Sequence, residues 1–214
     1  MCRAVLSSQP LMEDREQKII QQATEVFMRY GIKSVNMDDV ARHLGISKKT
    51  LYLVVRDKED LVCRAVQHFS QHEKQMMAGI SALQLNAIDE SLEIMKWVLS
   101  ILKNTNPVVD FDLHKYHPEI HKTMRAHRDR VVLDGMLNNL KKGQREGLYR
   151  KDFNPELIAK LYMSRVDTMF DQDLFPFPHW NLSDIYTQAF IYHIRGIASA
   201  KGLDYLRDKM KLKN

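Results

Sequence analysis

From Glu13 to Tyr30 the apolar residues Ile19, Ile20, Ala23, Val26, Phe27 and Tyr30 recur at three- and four-residue intervals, which places them on one helical face. Gly31 follows, where a left-handed cap ends such a helix. Asn36 then caps a short second helix. Asp39, three residues on, completes a capping-box-like pair, and Asp38 and Asp39 suit the positive helix end. Val40, Ala41 and Leu44 form its inner face, and Gly45 stops it. Ser47 caps a third helix from Lys48 to about Val55, and Asp57 caps a fourth with Asp60 at its third position. That fourth helix carries the stripe Leu61, Val62, Ala65, Val66, Phe69, Met76 and Met77.

Helical spacing continues along the rest of the chain. Ala87 to Asn104 contains Leu92, Met95, Val98, Leu99 and Leu102. Asn106-Pro107 and Asn154-Pro155 each pair a capping Asn with Pro at the first helical position. His117-Pro118 is a break that opens a long segment to about Glu146, ended by Gly147. Residues 174–180 are too Pro-rich for a helix. A last long helix is expected from about Ser183 to Ala200, with Gly202 separating a short amphipathic tail. No strand pattern or repeat interrupts this series, so the expected fold class is all-α.

Composition agrees. Six Pro and eight Gly in 214 residues are too few for an all-β fold, which needs a turn about every 8–12 positions. Cys2 and Cys63 are too few for a disulfide framework and fit a reducing compartment. No apolar run approaches the ~20 residues that cross a bilayer, and the opening MCRAVLSSQP holds no export signal. A cytoplasmic protein without membrane contact is expected. The net charge of +5 is too mild to name a partner by itself.

Its distribution is more informative. Between Ala41 and Lys58 stand Arg42, Lys48, Lys49, Arg56 and Lys58 against the single acid Asp57. That basic stretch coincides with helix, Gly-containing turn and helix, the arrangement whose second helix enters a DNA major groove. Ile46 should plug the corner between the two helices. Lys48, Lys49, Thr50 and Tyr52 lie near the N-terminus of the second one, where the helix dipole attracts phosphate.

The run GIKSVNMDDVARHLGISKKTLYLVVRDKEDLV resembles the DNA-binding segment of TetR-type (tetracycline-repressor-like) transcriptional regulators. The likeness rests on Gly31, Val40, Ala41, Gly45, Ile46, Ser47, Leu51, Tyr52, Lys58, Glu59 and Leu61 and covers about a quarter of the chain. GQREGLYRKD at 143–152 is a weaker echo of a link that many members carry. The resemblance implies a helix-turn-helix DNA-binding domain over 1–58 and a larger helical effector-binding and dimerisation domain over 59–214. It places Asn36, Lys48, Thr50, Tyr52 and Lys58 at DNA, beside Ser47 and Lys49 of the same segment. Two positions depart from the family pattern: Val55 stands where members have Phe, and Val54 where they have Tyr or His.

Other constellations compete with this reading. His114, His117 and His121, near Asp110, Asp112 and Glu119, suggest a metal site, but Pro118 breaks their shared face, so capping or solvated roles are expected and no metal. No nucleophile elbow, phosphate-binding Gly loop or Cys–His pair points to catalysis, and neither an enzyme nor a cofactor is expected. Methionines beyond residue 75, together with Phe69, Met95, Trp97, Phe111, Met124 and Tyr162, could line a pocket for a small apolar or amphipathic effector, or could be ordinary core.

The last long helices carry more apolar surface than one face needs. Leu161 and Met169 on one, and Ala189, Tyr192, Gly196 and Ala200 on the other, are expected at a twofold homodimer interface. Two recognition helices would then address a near-palindromic operator in double-stranded DNA, as a repressor released by its effector. The alternative is an effector-independent architectural DNA-binding protein of weak sequence preference.

Overall fold

The structure is a computed structural model that describes residues 10–171, 173–176 and 178–210. Cys2 and the expected absence of an export signal over residues 1–9 lie outside the described residues, as does Phe177 of the Pro-rich loop. Among the described residues the chain forms ten helices and one isolated antiparallel bridge, the all-α class expected. They are α1 (Pro10–Tyr30), α2 (Met37–His43), α3 (Lys48–Val54), α4 (Lys58–Ala82), α5 (Ala87–Asn104), α6 (Val108–Tyr116), α7 (Pro118–Arg145), α8 (Pro155–Thr168), α9 (Leu182–Ile197) and α10 (Ala200–Met210). No helix among the described residues is long and apolar enough to cross a membrane.

Packing divides these helices into two units. The first takes residues up to 74 together with 104–127; the second takes 75–103 and 128 onward. The first unit therefore contains α1–α3 and also α6, which lies far from them in sequence. Its core is built on Ala23, Phe27, Val40, Leu51, Val55, Leu61 and Val62, joined by Val109 and Leu113 of α6. The tie from α6 is polar as well. The buried Asp112 carboxylate accepts the N–H groups of Ile32 (2.9 Å) and Lys33 (2.8 Å), just past the end of α1. The histidines weighed as metal ligands sit in this unit beside carboxylates. His117, the C-cap of α6, pairs through Nδ1 with Glu59 on α4, and His121 Nε2 lies 3.4 Å from Asp110.

The core of the second unit joins Ala87, Ile88, Leu140, Tyr149, Phe190, Ile194 and Leu206. One expectation is corrected here. The last long helix ends at Ile197, not Ala200, and Gly202 lies inside α10 instead of separating it. The cause is backbone pairing with the 148–150 connector: Arg150 N–H donates to Ile197 O, and Ser199 N–H to Leu148 O, each at 2.9 Å. These bonds consume groups that a continuous helix would use. Gly202 is required for close approach, since a Cβ there would stand 2.0 Å from the Leu148 carbonyl oxygen. Ala200 therefore begins a new helix and does not extend the strip of Ala189 and Gly196.

A buried polar group in this unit has a measurable consequence. His193 on α9 accepts a hydrogen bond from Arg165 on α8 (Nη2 to Nδ1, 3.0 Å) and packs against the Tyr162 ring. Burial, and then the Arg165 charge, push its pKa down from 6.5 to about 4. Between those values the unfolded chain takes up a proton that the folded chain refuses. Stability should therefore fall as pH is lowered through that window, by up to about 3 kcal/mol. Urea unfolding of the wild type and His193→Phe at pH 7 and near pH 4.5 tests this. The gap between the two proteins should narrow or reverse at the lower pH; an unchanged gap would contradict the account.

Candidate nucleic-acid interface

Local chemistry sets each element of the helix-turn-helix. Asn36 Oδ1 accepts from Asp38 N–H (2.9 Å) and Asp39 N–H (3.0 Å), while Asp39 returns a bond to Asn36 N–H (3.1 Å). This is the expected capping box. Gly45 takes φ +64°, the left-handed turn that lets the chain leave α2, and Ile46 N–H closes the corner on Ala41 O at 3.0 Å. Ile46 packs on the unit's core, as expected of a plug. Ser47 Oγ accepts from Thr50 N–H (3.0 Å) and starts α3. A cap of this kind contributes about 1 kcal/mol.

Leu51 is the one fully inward side chain of α3, with no exposed surface. That anchor turns the opposite face outward: Lys48, Lys49, Tyr52 and Leu53 are all exposed, Leu53 by 77%. Thr50 is half-buried, and its hydroxyl lies 2.8 Å from that of Ser47. Lys48 Nζ pairs with Asp38 Oδ1 at 2.9 Å, and this bond holds its pKa above the ordinary lysine value. Lys58 at the start of α4 is partly buried, which lowers its pKa, and its ammonium reaches Lys33 O at 3.5 Å. Val55 is a core residue at 2% exposure and Val54 packs on the same cluster. Both departures from the family pattern are thus packing positions, and Val54 is not on the outward face with Lys49 and Leu53.

Sequence reading missed three residues of this region. Leu53 lies one helical turn after Lys49, so its place on the outward face was available from spacing. Asp38, the counter-charge of Lys48, stands ten residues away on another helix. Asp112 is about eighty residues from the backbone it holds, and no local signal announces it.

The other named residues are distributed as follows. Of the pocket set, Phe69, Phe111 and Met124 belong to the first unit, and Met95, Trp97 and Tyr162 to the second. Phe111 is half-exposed, whereas Met95 and Tyr162 are buried. Of the interface set, Leu161, Tyr192 and Gly196 are exposed and Ala189 is half-buried. Leu157, Leu161 and Arg165 follow one another at four-residue steps on α8, and the Arg165 guanidinium stands 5.8 Å over the Tyr192 ring on α9. Met169 is corrected to a core position at 7% exposure, because its N–H continues the α8 bonding to Arg165 O (3.1 Å) and keeps it in helical phase with the buried Tyr162.

Comparison with known proteins agrees with this geometry. Residues 19–65 match the family described as bacterial regulatory proteins, tetR family. The chain is 26% identical over 149 residues to YvaF of Bacillus subtilis (strain 168), named an uncharacterised HTH-type transcriptional regulator, covering 68% of this chain and 76% of that one. In fold it is similar to a TetR-family transcriptional regulator from Agrobacterium tumefaciens, with TM-score 0.70, 16% identity, and 87% and 99% of the two chains covered. A protein from Saccharomonospora viridis, described as a transcriptional regulator and solved in complex with choline, matches with TM-score 0.67 at 16% identity, over 87% of this chain and 99% of that one.

Proposed function

We propose that this chain, whose residues 19–65 match the tetR family of bacterial regulatory proteins, is a DNA-binding transcriptional regulator that acts as a homodimeric repressor of a near-palindromic operator, released by a small effector. The observation that carries the reading is the outward face of α3, held by Leu51 and presenting Lys48, Lys49, Tyr52 and Leu53. Lys49 and Leu53 suit base edges, the first for guanine acceptors and the second for a thymine methyl. Asn36, Ser47, Thr50, Tyr52 and Lys58 surround them with hydrogen-bonding groups and charge suited to phosphate. Lys48 exchanges its exposed pairing with Asp38 for a phosphate, a cheap exchange because such surface pairs contribute little.

The exposed apolar residues Leu157, Leu161 and Tyr192 support a twofold contact through α8 and α9. Two copies of α3 would then address half-sites roughly 34–36 Å apart. A small apolar or amphipathic effector bound among the helices of 59–214 releases the DNA only by its differential affinity for two states. Choline, the ligand of the Saccharomonospora viridis protein, is a natural first compound to test.

The deciding experiment is footprinting on DNA from around the gene encoding this chain, followed by titration of the protected segment and a scrambled copy. A paired footprint on a near-palindrome, bound at least about 10³-fold more tightly than the scramble, is expected. Lys49→Ala should narrow that ratio. Equal affinity for segment and scramble would instead favour a non-specific DNA-binding role.

A further inference from the structure

We propose that the first unit carries a second phosphate-binding patch, formed by Lys33, Lys115 and the Tyr116 hydroxyl, which grips DNA backbone flanking the stretch that α3 addresses. The proposal rests on the DNA-binding role of this unit and adds residues outside the helix-turn-helix to it. Lys33 lies just after α1, and Lys115 and Tyr116 form the last turn of α6. The Lys33 ammonium stands 4.8 Å over the Tyr116 ring, and the Lys115 ammonium 5.6 Å over the same ring and 5.3 Å over Phe111. Neither lysine has a carboxylate within ion-pair distance among the described residues. The neighbouring acid, Asp112, is buried and already receives the Ile32 and Lys33 N–H groups.

Two ammonium groups thus stand by one exposed aromatic, and neither is held in an ion pair among the described residues, so both are available to a phosphate. The Tyr116 hydroxyl stands at the same place as a further donor, and its pKa is drawn down by the Lys33 ammonium beside it. The anion favoured is DNA backbone, because the patch is continuous with the basic edge of the DNA-binding segment. Lys58 Nζ touches the Lys33 carbonyl oxygen at 3.5 Å, and Lys33 precedes the α2 cap Asn36 by three residues. Phosphate contacts of this kind add affinity and salt dependence without reading sequence.

The test is a salt titration of binding to a mixed-sequence duplex about four helical turns long, using wild type, Lys33→Gln/Lys115→Gln and Lys48→Gln/Lys49→Gln. Each lost phosphate contact lowers the slope of log affinity against log salt by about 0.9, so the first double variant should lose between about 1 and 2. Its thermal midpoint should stay close to the wild-type value, since both side chains are exposed and contacts of exposed cations with rings contribute little. Tyr116→Phe should weaken binding at low salt without changing the slope, because the hydroxyl is neutral. If Lys33→Gln/Lys115→Gln keeps the wild-type slope while Lys48→Gln/Lys49→Gln lowers it, the patch is overturned and the helix-turn-helix reading stands. If the wild type itself shows no salt-dependent binding, both fail together.

Discussion

Leu51→Ala should destabilise the first unit by about 2–5 kcal/mol and abolish DNA binding at salt where the wild type binds. Leu51 has no exposed surface and belongs to the core cluster with Val40, Ala41, Val55 and Leu61, so truncation leaves a cavity in that core. The functional loss follows from the stability loss. α3 has only seven residues, too few to persist without tertiary packing, and Leu51 is its one buried side chain. Without that anchor Lys48, Lys49, Tyr52 and Leu53 have no common orientation. Leu53→Ala is the matched control: at 77% exposure it should change stability by no more than about 0.5 kcal/mol. Urea unfolding and fluorescence anisotropy with labelled DNA separate the two. Equal stability of the two variants would show that α3 is not held in the way described.

The second large effect is expected from Gly143→Ala in α7. A Cβ at this position would stand 2.0 Å from Tyr149 Cδ2 and 2.3 Å from Cε2. The Tyr149 ring cannot give way. Its hydroxyl is held by Asn139 Oδ1 (2.9 Å) and Ala87 O (3.1 Å), its N–H donates to Gly143 O (3.0 Å), and the side chain is 1% exposed. The cost should be at least about 3 kcal/mol, the upper end of overpacking, which lowers Tm by roughly 6–12 °C in a chain of this size. Gly135→Ala on the same helix meets open space and should stabilise, by about 0.5–1 kcal/mol. Thermal scans of both variants should therefore move in opposite directions; a shared direction would refute the packing argument.

These two sites differ in how visible they are in the sequence. The helix-turn-helix is built from signals within four residues of one another: the Asn36–Asp39 box, Gly45 at the corner, and the Ser47 cap. Short-range hydrogen bonds and φ preferences write such features directly into the local pattern, and α5 follows its sequence expectation from Ala87 to Asn104. The break between α9 and α10 is different. The segment from Ser183 onward has good helical periodicity, and only backbone pairing with residues about fifty positions earlier ends it at Ile197.

By itself, then, the amino-acid sequence determined the all-α class, the caps of the DNA-binding helices and the concentration of basic residues within 41–58. The helices and their caps arise from interactions between near neighbours. Only the tertiary structure decided that α6 packs with α1–α4, that Asp112 holds the backbone after α1, and that Lys33 stands over the same Tyr116 ring as Lys115. Such contacts depend on closing long loops, and the pattern of any single segment carries no record of which distant partner will repay that entropy.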